Sequence, residues 1–260
     1  MAEATFTGER PGWGTDFDYD EARHLAAYDY ASQLAAGKRV MDAGCGEGWG
    51  TQRLADCASG VTGVDYSEVA VAACRSKWNK PNLEFHQVDL TEAPEGTERY
   101  DVVINFQVVE HIENPRPFLR GLRARVADDG VLMLTTPNIL MSFSENPYHV
   151  REYTAEELRE LLAEVFGSVE IVGVHGNERV TAFDERRKQA IQRILRLDPL
   201  GIRNMLPQWL INFAFARLAL LVRQQAKGNK SADDLIEPGD FYVAGDNVDS
   251  ALDLVALCRP

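Results

Sequence analysis

No run in this 260-residue chain supplies the ~20 consecutive apolar residues that a membrane-spanning helix needs. The nearest, residues 209–222, is shorter and carries Arg217 in its middle. The opening MAEATFTGERPGWG lacks the apolar stretch of a secretory signal, so a cytoplasmic protein is expected. Cysteine is scarce: Cys45, Cys57, Cys74 and Cys258 show neither CxxC spacing nor a secreted disulfide framework, which leaves buried free thiols. Positive charge is also short, with 27 Lys and Arg against 40 Asp and Glu. A net charge of −13 repels phosphate backbones and argues against a nucleic-acid binder. No G-x-x-x-x-G-K-[ST] occurs, which excludes a P-loop.

The shortage of cations is uneven. Residues 179–230 hold 11 Lys and Arg against three Asp and Glu, a basic island on an acidic protein. Otherwise the composition is that of a soluble globular protein, with 45% hydrophobic and 26% charged residues. From residue 39 to 175 short apolar runs alternate with helical stretches, the pattern of a parallel sheet wrapped by helices. The strand candidates are RVMDA, VTGVD, LEFHQ, YDVVINF, GVLMLTT and VEIVGVH, followed near the end by LDLVALC. Their Val, Ile and Leu content with little alternation fits strands buried on both faces. Helices are expected over 21–34, 48–57, 67–77, 115–126 and 154–165. The last opens with a capping box, Thr154 and Glu157. Residues 177–240 break the alternation and read as two or three helices inserted before the last strand. One domain is therefore expected: an N-terminal helical cap at 1–37, a core at 38–176, a helical insertion or lid at 177–245 and the last strand in 246–260.

The chemistry gathers at three strand ends. After the first strand comes DAGCGEGWG, whose Gly44, Gly46, Gly48 and Gly50 let backbone approach a ligand ahead of a helix N-terminus. Asp65 closes the second strand, where a carboxylate can accept both hydroxyls of a ribose. Asp89 follows the third, placed to read an adenine. The combination is specific to a nucleoside at the carboxyl edge of the sheet. The dinucleotide fingerprint G-x-G-x-x-G fails, because counting from Gly44 its third glycine is Trp49. Asp42 and Glu47 instead suit a cofactor that carries an ammonium and a sulfonium and has no pyrophosphate.

These motifs resemble the class I S-adenosylmethionine-dependent methyltransferases, and the likeness covers residues 40–175 and the terminal strand. VMDAGCGEGWG resembles that family's first motif, which assigns Asp42, Gly44 and Gly46 to the cofactor. VTGVDYSEVAV resembles the second, implying that Asp65 holds the ribose and Tyr66 lies along the adenine. VDL, with Asp89 and Leu90, resembles the adenine-edge motif. YDVVINFQVVEHIENP resembles the fourth, placing Asn105 and Gln107 near the methionine end. Many members carry Asp where Asn105 stands; an amide cannot act as a base. The resemblance implies a Rossmann-like α/β fold, a seven-stranded mostly parallel sheet with helices on both faces and the last strand antiparallel. It also implies S-adenosyl-L-methionine as cofactor and S-adenosylhomocysteine as product. TGER, RHLAAY, FQVVEHI and NPYHVREYTAEEL resemble a branch that O-methylates sugars, polysaccharides or lipid-linked glycans, similar in layout to the enzymes of mycobacterial methylglucose lipopolysaccharide.

Methylating a hydroxyl requires removal of its proton, and histidine titrates in the right range. His111 follows Glu110 just past the fourth strand, and His149 lies in a long loop three residues before Glu152. Both are candidate bases; the competing roles are loop ordering for His111 and loop packing for His149. His24 and Tyr28, spaced i, i+4, share a helix face and either pack or close over the cofactor with Arg10 or Arg23. No HExxH or Cys/His cluster occurs, so no metal is expected; a divalent ion held by Glu110, His111, His149 and Glu152 stays a minor option. The basic island is read as plain amphipathic helices, as a lid recognising an anionic glycan or other small-molecule acceptor, or as a peripheral membrane contact through residues 189–227, including Trp209 and Phe213. The alternatives to O-methylation are N- or C-methylation of a small metabolite and a non-catalytic cofactor-binding module. An NAD-dependent oxidoreductase is disfavoured by the glycine spacing.

Overall fold

A computed structural model describes residues 19–92, 97–142, 148–195 and 236–260. The chain divides into two compact units, residues 1–22 with 176–241 and residues 23–175 with 242–260.

The larger unit is built on alternating strands and helices. Its elements in chain order are α1 (Tyr19–Ala35, whose first residues belong to the smaller unit), β1 (Arg39–Ala43), α2 (Trp49–Leu54), β2 (Gly60–Asp65), α3 (Glu68–Lys77) and β3 (Leu83–Gln87). Then come β4 (Tyr100–Phe106), α4 (Pro115–Arg125), β5 (Val126–Pro137), α5 (Ala155–Ala163) and β6 (Ser168–Gly176). After α6 (Glu178–Leu195) the chain adds β7 (Phe241–Ala244) and β8 (Asp253–Arg259). Helix starts follow their capping residues. Ser67 accepts from the Ala70 amide at α3, and at α5 Thr154 and Glu157 each bond the other's backbone N–H.

The sheet order is β3-β2-β1-β4-β5-β8-β6-β7. The pairs from β3 to β5 are parallel, and β8 runs antiparallel between β5 and β6. The sheet thus has eight strands, not seven. The addition is β7, within the stretch expected to be helical up to residue 245. FYVA has four residues at a sheet edge, too short to show a periodicity. Chain direction across the sheet reverses between β1 and β4, and right-handed crossovers then put α2 and α3 on one face and α4 on the other. Packing agrees. Met41, Ala43, Val103, Leu132, Leu134 and Leu254 form one core with Leu119, Leu122, Leu158 and Leu162 of α4 and α5. Phe85 packs with Cys45 and with Val71 and Cys74 of α3 in another cluster.

Gly121 lets α4 lie directly on the chain after β3: a Cβ there would fall 1.7 Å from the Leu90 carbonyl oxygen. Gly121→Ala is expected to cost roughly 2 kcal/mol by overpacking, read as a lower denaturation midpoint. An unchanged midpoint would show that α4 can shift freely.

In the smaller unit, Tyr19 stacks on Phe183 with centroids 5.1 Å apart, and its hydroxyl donates to Asp184 at 2.7 Å. Asn177 caps α6 through bonds from the Arg179 and Val180 amides, and both Asn177 and Arg179 donate to Asp240. The rest of the expected insertion, with Trp209, Phe213 and Arg217, lies outside the described residues, as does Arg10.

Candidate active site

The switch in chain direction opens a crevice at the carboxyl ends of β1 and β4. Asp42 pairs in register with Ile104 there. Its buried Oδ2 accepts from Thr51 Oγ1 at 2.6 Å and from the Tyr28 hydroxyl at 3.1 Å, while Oδ1 has no protein partner. Burial raises this carboxyl to about 6, against the lowering effect of those two bonds. Tyr28 also packs on Trp49 and Phe106, so its ring is part of the wall behind Asp42. Sequence reasoning singled out Asp42 and Tyr28 separately. It missed Thr51, whose only signal is its place in the first turn of the helix that follows the glycine loop.

Past Asp42 the chain turns through positive φ at Gly44, Gly46 and Gly48. At Gly44, with φ +87°, a Cβ would also strike Val108 Cγ2 at 2.6 Å, so the β1 loop and the β4 loop meet as closely as glycine allows. At Gly46 a Cβ would meet nothing within 4 Å: the loop borders open space. The Gly46 amide donates to Asp65 Oδ2 (2.9 Å) and the Ser67 amide to Asp65 Oδ1 (2.8 Å). Asp65 is thereby fixed beside the loop with one further lone pair on each oxygen. Tyr66 beside it is 75% exposed, an aromatic face left uncovered by protein. Asp89 is exposed, and bonds from the Thr91 hydroxyl and amide hold its carboxyl below the usual range. The Leu90 side chain is buried in the core under α4, which leaves only its backbone to face a ligand.

On β4, Asn105 is fully buried; its Nδ2 donates to the Ala43 carbonyl at 2.6 Å and its Oδ1 has no protein partner. Gln107 adopts φ +55°, an uncommon conformation for a residue with a Cβ, and its amide donates to the Thr135 carbonyl. This twist leads from β4 into a 3₁₀ turn, Val109–His111.

That turn and the loop after β5 are stapled together. The Glu110 carbonyl accepts from the Val150 and Arg151 amides at 2.8 and 3.1 Å. His111 Nδ1 lies 3.0 Å from the Tyr148 carbonyl oxygen, so that nitrogen carries the proton and donates. His149 Nδ1 lies 2.7 Å from Glu152 Oε1, and Ser142 bonds the other oxygen of Glu152. Burial acts to raise the Glu152 carboxyl, but the bonds from His149 and Ser142 outweigh it and hold it below its usual value. The His111 and His149 rings meet edge to face at 5.1 Å. Glu110 lies beneath them, fully buried: Oε2 accepts from Thr136, Oε1 has no protein partner, and burial pushes the carboxyl up to about 7. The two candidate histidines, 38 positions apart in sequence, thus share one site. His24 is placed elsewhere, its ring 6.3 Å from that of Trp49. Arg23 pairs with Asp253 at 3.1 Å.

Residues 19–165 match the family described as methyltransferase domain. The chain belongs to the S-adenosylmethionine-dependent methyltransferases. A probable S-adenosylmethionine-dependent methyltransferase of Mycobacterium tuberculosis is 37% identical over 198 residues, 73% of this chain and 71% of the relative. A ubiquinone biosynthesis O-methyltransferase of Glaesserella parasuis is 26% identical over 54% of this chain and 70% of its own length. Among solved structures, the [4+2]-cyclase SpnF superposes with a TM-score of 0.57 at 20% identity, covering 95% of this chain and 84% of its own, a likeness of fold.

The crevice of this methyltransferase fits the cofactor its family uses. Two buried acceptor oxygens without protein partners, on Asp42 and Asn105, end adjacent strands and suit a cationic amino-acid end. The open side of Gly46 leaves room along the loop, and Asp65 keeps acceptor capacity for hydroxyls. Among the described residues no helix is long and apolar enough to cross a membrane.

Proposed function

We propose that this methyltransferase methylates a hydroxyl group of a sugar, a glycolipid or polysaccharide precursor, or a related natural product. The observation that carries the reading is the His111–His149 pair. An alcohol is a poor nucleophile until its proton leaves, whereas an amine or a stabilised carbanion needs no base. Both imidazoles commit Nδ1 to a fixed acceptor, so in the neutral form each keeps Nε2 as a basic nitrogen. The O-methyltransferase named for ubiquinone biosynthesis supports oxygen as the methylated atom.

In this reading S-adenosyl-L-methionine, when bound, supplies an electrophilic methyl on a sulfonium and leaves as S-adenosylhomocysteine. Asp65 holds the ribose hydroxyls, Tyr66 lies along the adenine, and Asp89 with the Leu90 backbone meets the adenine edge. Asp42, Gly44, Gly46, Asn105 and Gln107 surround the methionine end. The protein's share of the work is alignment of the acceptor and removal of its proton. The cations of residues 179–230 suit an anionic acceptor, such as a nucleotide-linked or phospholipid-linked sugar.

Incubation with isotope-labelled cofactor and a panel of sugars, glycolipids, phenols and amines tests the reading. Label confined to hydroxylated acceptors supports it; label on amines alone removes it. Asp65→Asn is expected to weaken cofactor binding about tenfold or more, since a charged acceptor of ~1.5–3 kcal/mol becomes a neutral one. Calorimetry with S-adenosylhomocysteine measures this, and unchanged affinity would take Asp65 out of the ribose role.

A further inference from the structure

We infer that Glu110, His111 and His149 form a binding site for one divalent transition-metal ion. A carboxylate oxygen and one nitrogen from each ring all lie within 4.8 Å of one another. Ligands at ~2.0–2.2 Å from an ion stand roughly 3–3.5 Å apart, so loading draws these side chains together by at most about 1–2 Å. Two further observations point to a cation. The carboxylate is completely buried, yet its Oε1 has no protein partner, an arrangement that costs free energy unless something positive meets it. Each histidine also has its Nδ1 fixed on an oxygen, the Tyr148 carbonyl for His111 and the Glu152 carboxylate for His149. Metal-binding histidines are oriented by such outer partners, as both rings are here.

The donor set decides which ion is taken. Two imidazole nitrogens and one carboxylate suit Zn²⁺, Mn²⁺, Fe²⁺ or Co²⁺, whereas Mg²⁺ and Ca²⁺ prefer all-oxygen sites. Three protein ligands leave coordination positions open, as in catalytic rather than structural sites. The binding site stands on this geometry alone. Its use toward an acceptor rests on the hydroxyl reading above: an ion there lowers the pKa of an alcohol bound to it, in place of a free imidazole base.

The test uses the full chain, stripped by chelator and titrated with Co²⁺. One equivalent should bind with a visible ligand-field spectrum, be displaced by Zn²⁺ and resist excess Mg²⁺. His111→Ala and His149→Ala should abolish the spectrum. Glu152→Gln, which leaves all three ligands in place and changes the carboxylate that holds His149, should weaken Co²⁺ affinity about 10–100-fold. Glu110→Gln removes a buried charge and should fold, checked by binding of S-adenosylhomocysteine, while losing the ion. No stoichiometric Co²⁺ in the parent protein, or binding unchanged in both histidine variants, overturns the site. Metal-free protein that methylates hydroxyls at full rate leaves the base reading and removes the ion's use. An ion bound with only amines methylated does the reverse.

Discussion

A double variant, His111→Ala with His149→Ala, is expected to lose roughly 10²–10⁴-fold in turnover on a hydroxylated acceptor, the usual worth of a positioned base. Binding of S-adenosylhomocysteine should stay near its parent value, because the Nδ1 bonds of the two rings go to Tyr148 and Glu152, away from the glycine loop in sequence. The two single variants should each approach the loss of the double. The histidines share one site, and removing either leaves the other without its edge-to-face partner; residues that act as a unit are not additive. Loss should fall mainly on kcat. An effect confined to KM would recast the pair as acceptor-binding groups. Retained turnover would favour a neutral amine or a stabilised carbanion as acceptor, neither of which needs a protein base. His111→Ala also releases one of the staples between the 3₁₀ turn and the following loop, the bond to the Tyr148 carbonyl, whereas the His149 bond to Glu152 lies within the loop itself. His149→Ala is therefore the cleaner single variant, with less change in melting temperature.

The parts of this architecture legible in the sequence are those carried by local rules. β1, β3 and β4 run over the stretches expected from their apolar runs, and α5 starts at its Thr154–Glu157 box. The Gly44–Gly48 turn announces itself because three positive φ angles in five residues leave little choice but glycine. Contacts across long sequence separations were not legible. Nothing near Asp42 says that Thr51 and Tyr28 close on it, nor does Glu110 reveal from its neighbours that it is fully buried under Thr136. His111 and His149 could be named singly, since both follow strands at the functional edge of the sheet. Their meeting depends on backbone bonds from Val150 and Arg151 to Glu110, which carry no side-chain signature. β7 escaped because four residues at a sheet edge present no repeat.

Asp42 gives the second large expectation, and its sign is opposite to that of an ordinary paired carboxylate. Burial raises its folded pKa from 3.8 to about 6, so between these values the folded chain holds a proton that the unfolded chain has released. Its contribution is fully present below pH ~4 and is lost as pH rises through 6, about 3 kcal/mol in all. Asp42→Asn should flatten that part of the stability profile. At pH 7–8 it should raise the melting temperature of the cofactor-free protein by a few degrees, since a buried charge is gone while Thr51 and Tyr28 keep an acceptor. Cofactor affinity should move the other way, because the cationic end then faces an amide. Gain of stability with loss of binding is the signature of a charge kept for its ligand. A destabilised variant that binds S-adenosylhomocysteine normally would instead make Asp42 a structural tie between α1, β1 and α2. Raising the pH from 5 to 7 on the parent protein ionises this carboxyl and begins to ionise the buried Glu110, so the Asp42 share is the part of the fall in ligand-free stability that Asp42→Asn removes, and cofactor affinity should rise over the same range.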